Sequence, residues 1–182
     1  MQDKIILGLL QFRDMTSYDV KKAIENSTAF FYNASMGSIH PALKKLETSG
    51  SLTSTSVVEN GRAKKIYSIT DQGRKVFANW LSEGLPLEKF KDETLVRLFF
   101  FGKIEPTEQA RHIKAHIESL DEQVAMLEAL KAQVHTIDIP EDLKAHAHFQ
   151  IATLDYGLNY CRFSRDWYQN FLDEQITNHK DP

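Results

Sequence analysis

The apolar positions of this chain change period twice. They recur at helical spacing from Met1 to Gly50, alternate from Leu52 to Ile69, and return to a longer helical rhythm beyond Thr70. Ile5, Ile6, Leu9, Leu10 and Phe12 form a broad stripe that predicts a first helix over 1–12. Arg13, Asp14 and Met15 make a short connection. Thr16 followed three residues later by Asp19 has the spacing of a capping-box pair and opens a second helix over 17–27, burying Tyr18, Val20 or Ala23, and Ile24. Phe30, Phe31 and Tyr32 form an aromatic linker. A third helix, over 35–50, sets Ile39, Leu43 and Leu46 on one face and Ser35, Ser38, His40, Lys44 and Lys45 on the other, with Gly50 as a terminator tolerant of positive φ. Pro41 costs no helical hydrogen bond if Ser38 is the N-cap and one if Ser35 is.

The alternating stretch reads as two strands, Leu52 to Val58 and Lys64 to Thr70, joined through Glu59, Asn60, Gly61 and Arg62. Asn-Gly between β-branched runs is a strong hairpin signal. Two strands after a helix-turn-helix unit make a winged helix-turn-helix. Thr70 to Arg74 opens a further helix with Val76, Phe77, Trp80 and Leu81 on its apolar side, and Gly84, Leu85 and Pro86 mark a boundary. Asp92 to Phe101 is a short apolar helix carrying Leu95, Leu98, Phe99 and Phe100 and ending at Gly102. Pro106 suits the first turn of a long helix in which Ile113, Ile117, Leu120, Val124, Leu127 and Val134 keep a heptad seam interrupted by Lys131. After Pro140, residues 141–175 place Leu143, Ala147, Leu154, Leu158, Cys161, Tyr168 and Leu172 on one side of a helix and Phe149, Tyr156, Phe163, Trp167 and Phe171 on another. A helix apolar over so much of its circumference must be covered on several sides, which predicts a dimer. The expected fold is mainly α with a small β-hairpin: a winged helix-turn-helix domain over 1–85 and a C-terminal domain of antiparallel long helices over 86–182, serving dimerisation through Ile113, Ile117, Leu120, Val124, Leu127, Leu154 and Leu158.

Charge sharpens this division. Residues 1–81 hold 11 lysines and arginines against 7 aspartates and glutamates, and residues 82–182 hold 11 against 18. A basic first part and an acidic second part fit a polyanionic partner for the first alone. No run approaches the roughly 18 apolar residues of a membrane helix, and the N-terminus lacks the pattern of a signal peptide, so the expected location is the cytoplasm and no membrane partner is expected. The single cysteine, Cys161, excludes an intrachain disulfide and reads as a small apolar residue, with a thiol sensor as the alternative.

Candidate enzyme chemistry is sparse. A phosphate-binding glycine loop, a nucleophile elbow and a His-Glu-x-x-His pair are all missing from the sequence, so no catalytic residue and no cofactor is expected. His112 with His116, and His146 with His148, read as solvated helix residues rather than metal ligands, because a tight site needs three or four ligands. Asp92 with Glu93, and Glu141 with Asp142, sit at helix starts, where acids favour the dipole. The basic residues are more specific. In a winged helix-turn-helix the second helix enters the major groove and the wing follows the backbone. Ser35, Gly37, Ser38 and His40 would then approach bases or phosphates, with Gly37 permitting close backbone approach. Lys44 and Lys45 would supply phosphate charge, extended along the wing by Asn60, Gly61, Arg62, Lys64 and Lys65. Taken singly, these lysines could equally be solvated surface.

At Ile5 to Leu10, Ser17 to Val20, Gly37 to Glu47 through Gly50, and Lys65 to Gly73, the sequence resembles the PadR family of bacterial transcriptional regulators. The half beyond Pro86 resembles, at Leu154 to Leu158 and Arg165 to Tyr168, the AphA-like C-terminal domain found in virulence activators and in the longer PadR subfamily. The resemblance implies a homodimer joined through C-terminal helices, usually a repressor, bound to a double-stranded DNA operator and in some members responsive to a small aromatic effector. Two departures stand out: His40 where the family commonly has Tyr, and Ser17 where Gly is common. An effector would be sought around Tyr156, Tyr160, Phe163 and Trp167, rings for which ordinary core packing is the favoured reading. The expected function is a sequence-specific regulator on a pseudo-palindromic operator; the alternatives are an effector-independent regulator and a winged-helix protein-interaction module.

Overall fold

The computed structural model describes residues 1–28, 31–59, 62–87 and 91–178. It divides into two compact units, Met1–Glu88 and Lys89–Pro182. The first comprises α1 (Gln2–Leu9), a two-residue strand β1 (Met15–Thr16), α2 (Ser17–Ser27), α3 (Met36–Thr48), β2 (Leu52–Glu59), β3 (Arg62–Ile69) and α4 (Asp71–Leu81). The capping box predicted for α2 is present: Asp19 N donates to Thr16 Oγ1 at 3.2 Å and Thr16 N to Asp19 Oδ2 at 3.0 Å. Thr16 Oγ1 also donates to Asp19 Oδ2 at 2.7 Å, and this bond together with that from Thr16 N holds the Asp19 carboxyl below its ordinary pKa. Ser35 is the N-cap of α3, so Pro41 lies inside the helix and the Gly37 carbonyl loses its i+4 donor. At the other end Gly50 has φ +73°, the left-handed region where a side chain would be strained.

The hairpin is antiparallel, in register from Leu52 opposite Ile69 to Glu59 opposite Arg62. β1 adds a third strand, Met15 opposite Tyr67, so the sheet order is β1-β3-β2. Residues 13–15 read as a connection because a two-residue strand has no period to detect. The core gathers Ile6, Leu7 and Leu10 of the first helical segment with Val20 and Ile24 of α2, Ile39, Ala42, Leu43 and Leu46 of α3, and Met15, Leu52 and Tyr67 from the sheet. Three expected core residues are on the surface instead: Phe12 follows the end of α1, Tyr18 is in the first turn of α2 facing away from Val20 and Ile24, and Leu81 is the last residue of α4. Of the aromatic linker, Phe31 is exposed and Tyr32 packs partly against the core, while Phe30 lies outside the described residues.

The second unit contains α5 (Glu93–Phe99), a 3₁₀ turn (Phe101–Lys103), α6 (Pro106–Val134), a second 3₁₀ turn (Glu141–Leu143) and α7 (Lys144–Asn178). Asp92 caps α5, its Oδ1 accepting from the backbone N–H groups of Thr94 and Leu95 at 2.7 and 3.2 Å. α6 and α7 pack as an antiparallel pair. Ile113, Ile117 and Leu120 meet Tyr168 and Leu172, and Val124 and Leu127 meet Leu158 and Cys161, with Leu154 alongside. Ion pairs run down the same seam in antiparallel order, Asp121 with Arg165, Glu128 with Arg162 and Lys131 with Asp155. Lys131, the residue that interrupts the heptad pattern, therefore has its partner in the facing helix. Ile113, Ile117, Leu120, Val124, Leu127, Leu154 and Leu158, the residues expected to serve dimerisation, line a seam that within one chain is filled by α7. Cys161 is buried as a small apolar residue, with its thiol pKa raised by that burial.

Candidate nucleic-acid interface

Helical periodicity sorts α3 into a buried face and an open one. Ile39, Ala42, Leu43 and Leu46 are buried, whereas Ser35, Gly37, His40, Pro41, Lys44, Lys45 and Thr48 are exposed and Ser38 is partly so. Gly37, Pro41, Lys44 and Thr48 run down the centre of the open face. His40 and Glu47 lie along one flank, Ser38 and Lys45 along the other. The side chain of Ser35 makes no capping bond to the helix; Ser38 Oγ donates instead to the Ser35 carbonyl at 2.9 Å. A Cβ added at Gly37 would meet only Ser35 Oγ at 3.6 Å, so the helix itself does not require glycine there.

Two of the expected phosphate ligands are engaged within the fold. Lys45 Nζ lies 2.6 Å from Asp3 Oδ2 of α1, which ties one flank of α3 to the first helix. On the other flank Lys65 Nζ donates to both oxygens of Glu47, at 2.9 and 2.8 Å. Ser54 Oγ of β2 donates to the same Glu47 carboxylate. These bonds lower the Glu47 pKa and raise that of Lys65, whose ammonium also lies 5.4 Å from the centre of the Tyr67 ring. Strand alternation explains why Lys64 and Lys65 differ: Lys65 shares the face of Ser54 and Tyr67, and Lys64 points to the other. The opposite face carries the exposed Lys64 toward the start of α2, where its charge contributes to lowering the Asp19 pKa. Asn60 and Gly61 lie outside the described residues, and Arg62 is placed only by its register opposite Glu59. The role of Glu47 was not read from sequence, although it is the only acidic residue in α3 and lies seven residues after His40.

The aromatic residues suggested for an effector do not form an interior. Tyr156, Phe163 and Trp167 are exposed by 72%, 68% and 41%, and Tyr160 is also on the surface of α7. With Phe149 they follow spacings of seven, four, three and four, a second heptad seam that the chain's own α6 does not cover. A small cavity of about 30 Å³ lies elsewhere in this unit, between Thr94, Leu98, Phe101, His112, Ile113, His116 and Tyr168. His116 is not a solvated histidine: its ring packs edge-on to Tyr168 at 4.7 Å, and burial pushes its pKa below the ordinary value.

The model of the transcriptional regulator PadR-like family matches residues 6–79, and that of the virulence activator α C-terminal domain matches residues 90–174. The chain belongs to the PadR-like family. That family consists of transcriptional regulators, not enzymes. The negative transcriptional regulator PadR of Bacillus subtilis is 27% identical over 125 residues, spanning 68% of this chain and 69% of the relative. Its crystal structure in complex with operator DNA superposes with a TM-score of 0.83 at 22% identity, covering 95% of this chain and 98% of the other. Its structure with p-coumaric acid gives 0.78 at 22% identity, covering 96% and 94%. The crystal structure of smu.1604c from Streptococcus mutans is 30% identical with a TM-score of 0.75, covering 94% and 98%. The Vibrio cholerae virulence activator AphA gives 0.76 at 22% identity, covering 97% and 99%. The likeness in fold to these structures takes in the winged-helix unit and the helical second unit alike. No helix among the described residues is long and apolar enough to cross a membrane.

Proposed function

We propose that this PadR-like regulator binds a pseudo-palindromic operator as a homodimer, placing two copies of α3 in successive major grooves roughly 34 Å apart. The observation that carries the reading is the open face of α3: Ser35, Gly37, Ser38, His40 and Lys44 project from a helix whose other face is locked in the core. Residues 1–85 serve as the DNA-binding domain, to which Asn60, Gly61, Arg62 and Lys64 also contribute, and residues 86–182 serve dimerisation and effector response. The uncovered seam Phe149, Tyr156, Tyr160, Phe163 and Trp167 supports a second copy as the partner of α7. Repression is the direction suggested by the named activity of the Bacillus subtilis relative, and the cytoplasm is the compartment in which such a regulator works. The same relative's complex with p-coumaric acid supports a small aromatic effector, which would act by binding two dimer states unequally.

Selection of bound DNA from a random library, followed by titration at several salt concentrations, tests this reading. A sequence-specific, salt-sensitive complex is expected; its absence would refute it. Lys44→Ala is expected to weaken all sequences together and to reduce the salt slope by about 1, whereas Ser38→Ala or His40→Ala changes the preference at individual base pairs by about 1–3 kcal/mol. Equal, sequence-independent losses for all three would contradict these roles. Gly37→Ala separates stability from binding. Alanine gains about 1 kcal/mol of helix propensity where nothing in the fold obstructs it, so thermal melting should rise while operator affinity falls.

A further inference from the structure

Both flanks of α3 are tied to the fold, but the tie on the wing side has a different consequence from the one on α1. Glu47 is the penultimate residue of α3, and its carboxylate takes Lys65 from β3 and Ser54 from β2 at once. A single side chain thereby sets the angle between the helix that enters the groove and the two strands that follow the backbone. Pairing also neutralises the one wing lysine on that face which, by sequence, looked like a phosphate ligand. An ion pair this open to water adds little to stability, so its effect is on geometry and on charge.

We propose that Glu47 is a positioning residue for operator recognition: it holds the wing in register with α3 and withholds Lys65 from phosphate, exchanging non-specific affinity for sequence discrimination. Counterion release gives this a quantitative form, since each phosphate neutralised by protein adds about 0.9 to the slope of log K against log salt. In the native protein Lys65 contributes nothing to that slope. Without the Glu47 charge, Lys65 becomes available to the polyanion while the wing loses its fixed angle. The inference rests on the DNA-binding reading above.

The test compares the full-length protein with Glu47→Gln, Lys65→Met and the double variant, each on its selected operator and on random duplex over a salt series, with melting curves to establish folding. Glu47→Gln is expected to steepen the salt slope by about 0.9, to bind random duplex several-fold more tightly, and to lower the ratio of operator to random binding about tenfold. Lys65→Met is expected to lower that ratio without changing the slope, and the double variant to return the slope to the wild-type value. A slope about 1 shallower in Lys65→Met, with uniform weakening on all sequences, would show that Lys65 already contacts phosphate and would overturn the proposal. Unchanged slope and ratio in folded Glu47→Gln would do so as well. Failure of the underlying reading looks different: the wild-type protein would then show no salt-sensitive operator complex, and the inference would fall with it.

Discussion

Gly73→Ala is expected to destabilise the winged-helix unit by about 3 kcal/mol, the upper end of the cost of overpacking a filled site, and to lower its melting temperature by roughly 10–20 °C. Gly73 is buried in the first turn of α4, where its N–H donates to the capping oxygen of Thr70 at 3.1 Å. A Cβ at this position would stand 2.2 Å from the Ser51 carbonyl oxygen and 2.8 Å from Ile69 Cγ1. Neither neighbour can yield cheaply. The Ser51 carbonyl accepts from Thr70 N at 3.1 Å, and Ser51 N donates to the Leu46 carbonyl at 2.9 Å. That oxygen is fixed at the junction of α3, β2 and α4, so relief requires these elements to part. Gly37→Ala provides the control, since its Cβ would meet only Ser35 Oγ, at an ordinary contact distance of 3.6 Å. A melting curve for Gly73→Ala within a degree or two of wild type would show that α4 can shift without loss.

The second large effect concerns the outer seam of α7. Tyr156→Asp combined with Phe163→Asp is expected to convert the dimer to monomer and to weaken binding to a full operator by about 10²–10⁴-fold, the range over which linking two half-site contacts raises affinity. Burying even half of the ~200 Å² of an aromatic side chain at about 25 cal/mol per Å² is worth about 2.5 kcal/mol, and in a symmetric contact each ring counts twice. The fold of the single chain should survive, because both side chains point away from α6. Light scattering with size-exclusion chromatography reads the assembly, and circular dichroism confirms the helices. A double variant that remains dimeric would locate the interface elsewhere, with Leu95, Val96, Phe99 and Phe100 of the α5 segment as the next exposed apolar surface.

The two apolar faces of α7 are equally plain in the sequence, but only one of them meets α6. Both heptad seams of the second unit are present in the sequence, and both predict packing. Which seam meets the chain's own helix depends on how α6 and α7 align, and alternation of apolar residues is silent about that. The ion pairs Asp121 with Arg165, Glu128 with Arg162 and Lys131 with Asp155 become visible as partners only once the antiparallel register is set. The same holds for Tyr156, Tyr160, Phe163 and Trp167: clustered rings on one helix read as an interior until the other helix is placed, and within one chain they lie on the surface.

Features governed by residues within a few positions of one another were determined by the sequence alone. The capping box of Thr16 and Asp19, the buried stripe of α3 and the left-handed Gly50 follow from contacts at short separation, which side-chain type and spacing suffice to specify. Tertiary structure decided what joins distant segments. It paired Met15 with Tyr67, wedged Gly73 against Ser51, and brought Glu47 to Lys65 across 18 positions. It thereby paired two of the apparent DNA ligands, Lys45 of α3 and Lys65 of β3, with carboxylates of the same chain. The physical reason is that an amphipathic pattern names the face a segment buries but not its occupant, and a charge names the sign of its partner but not its place in the chain.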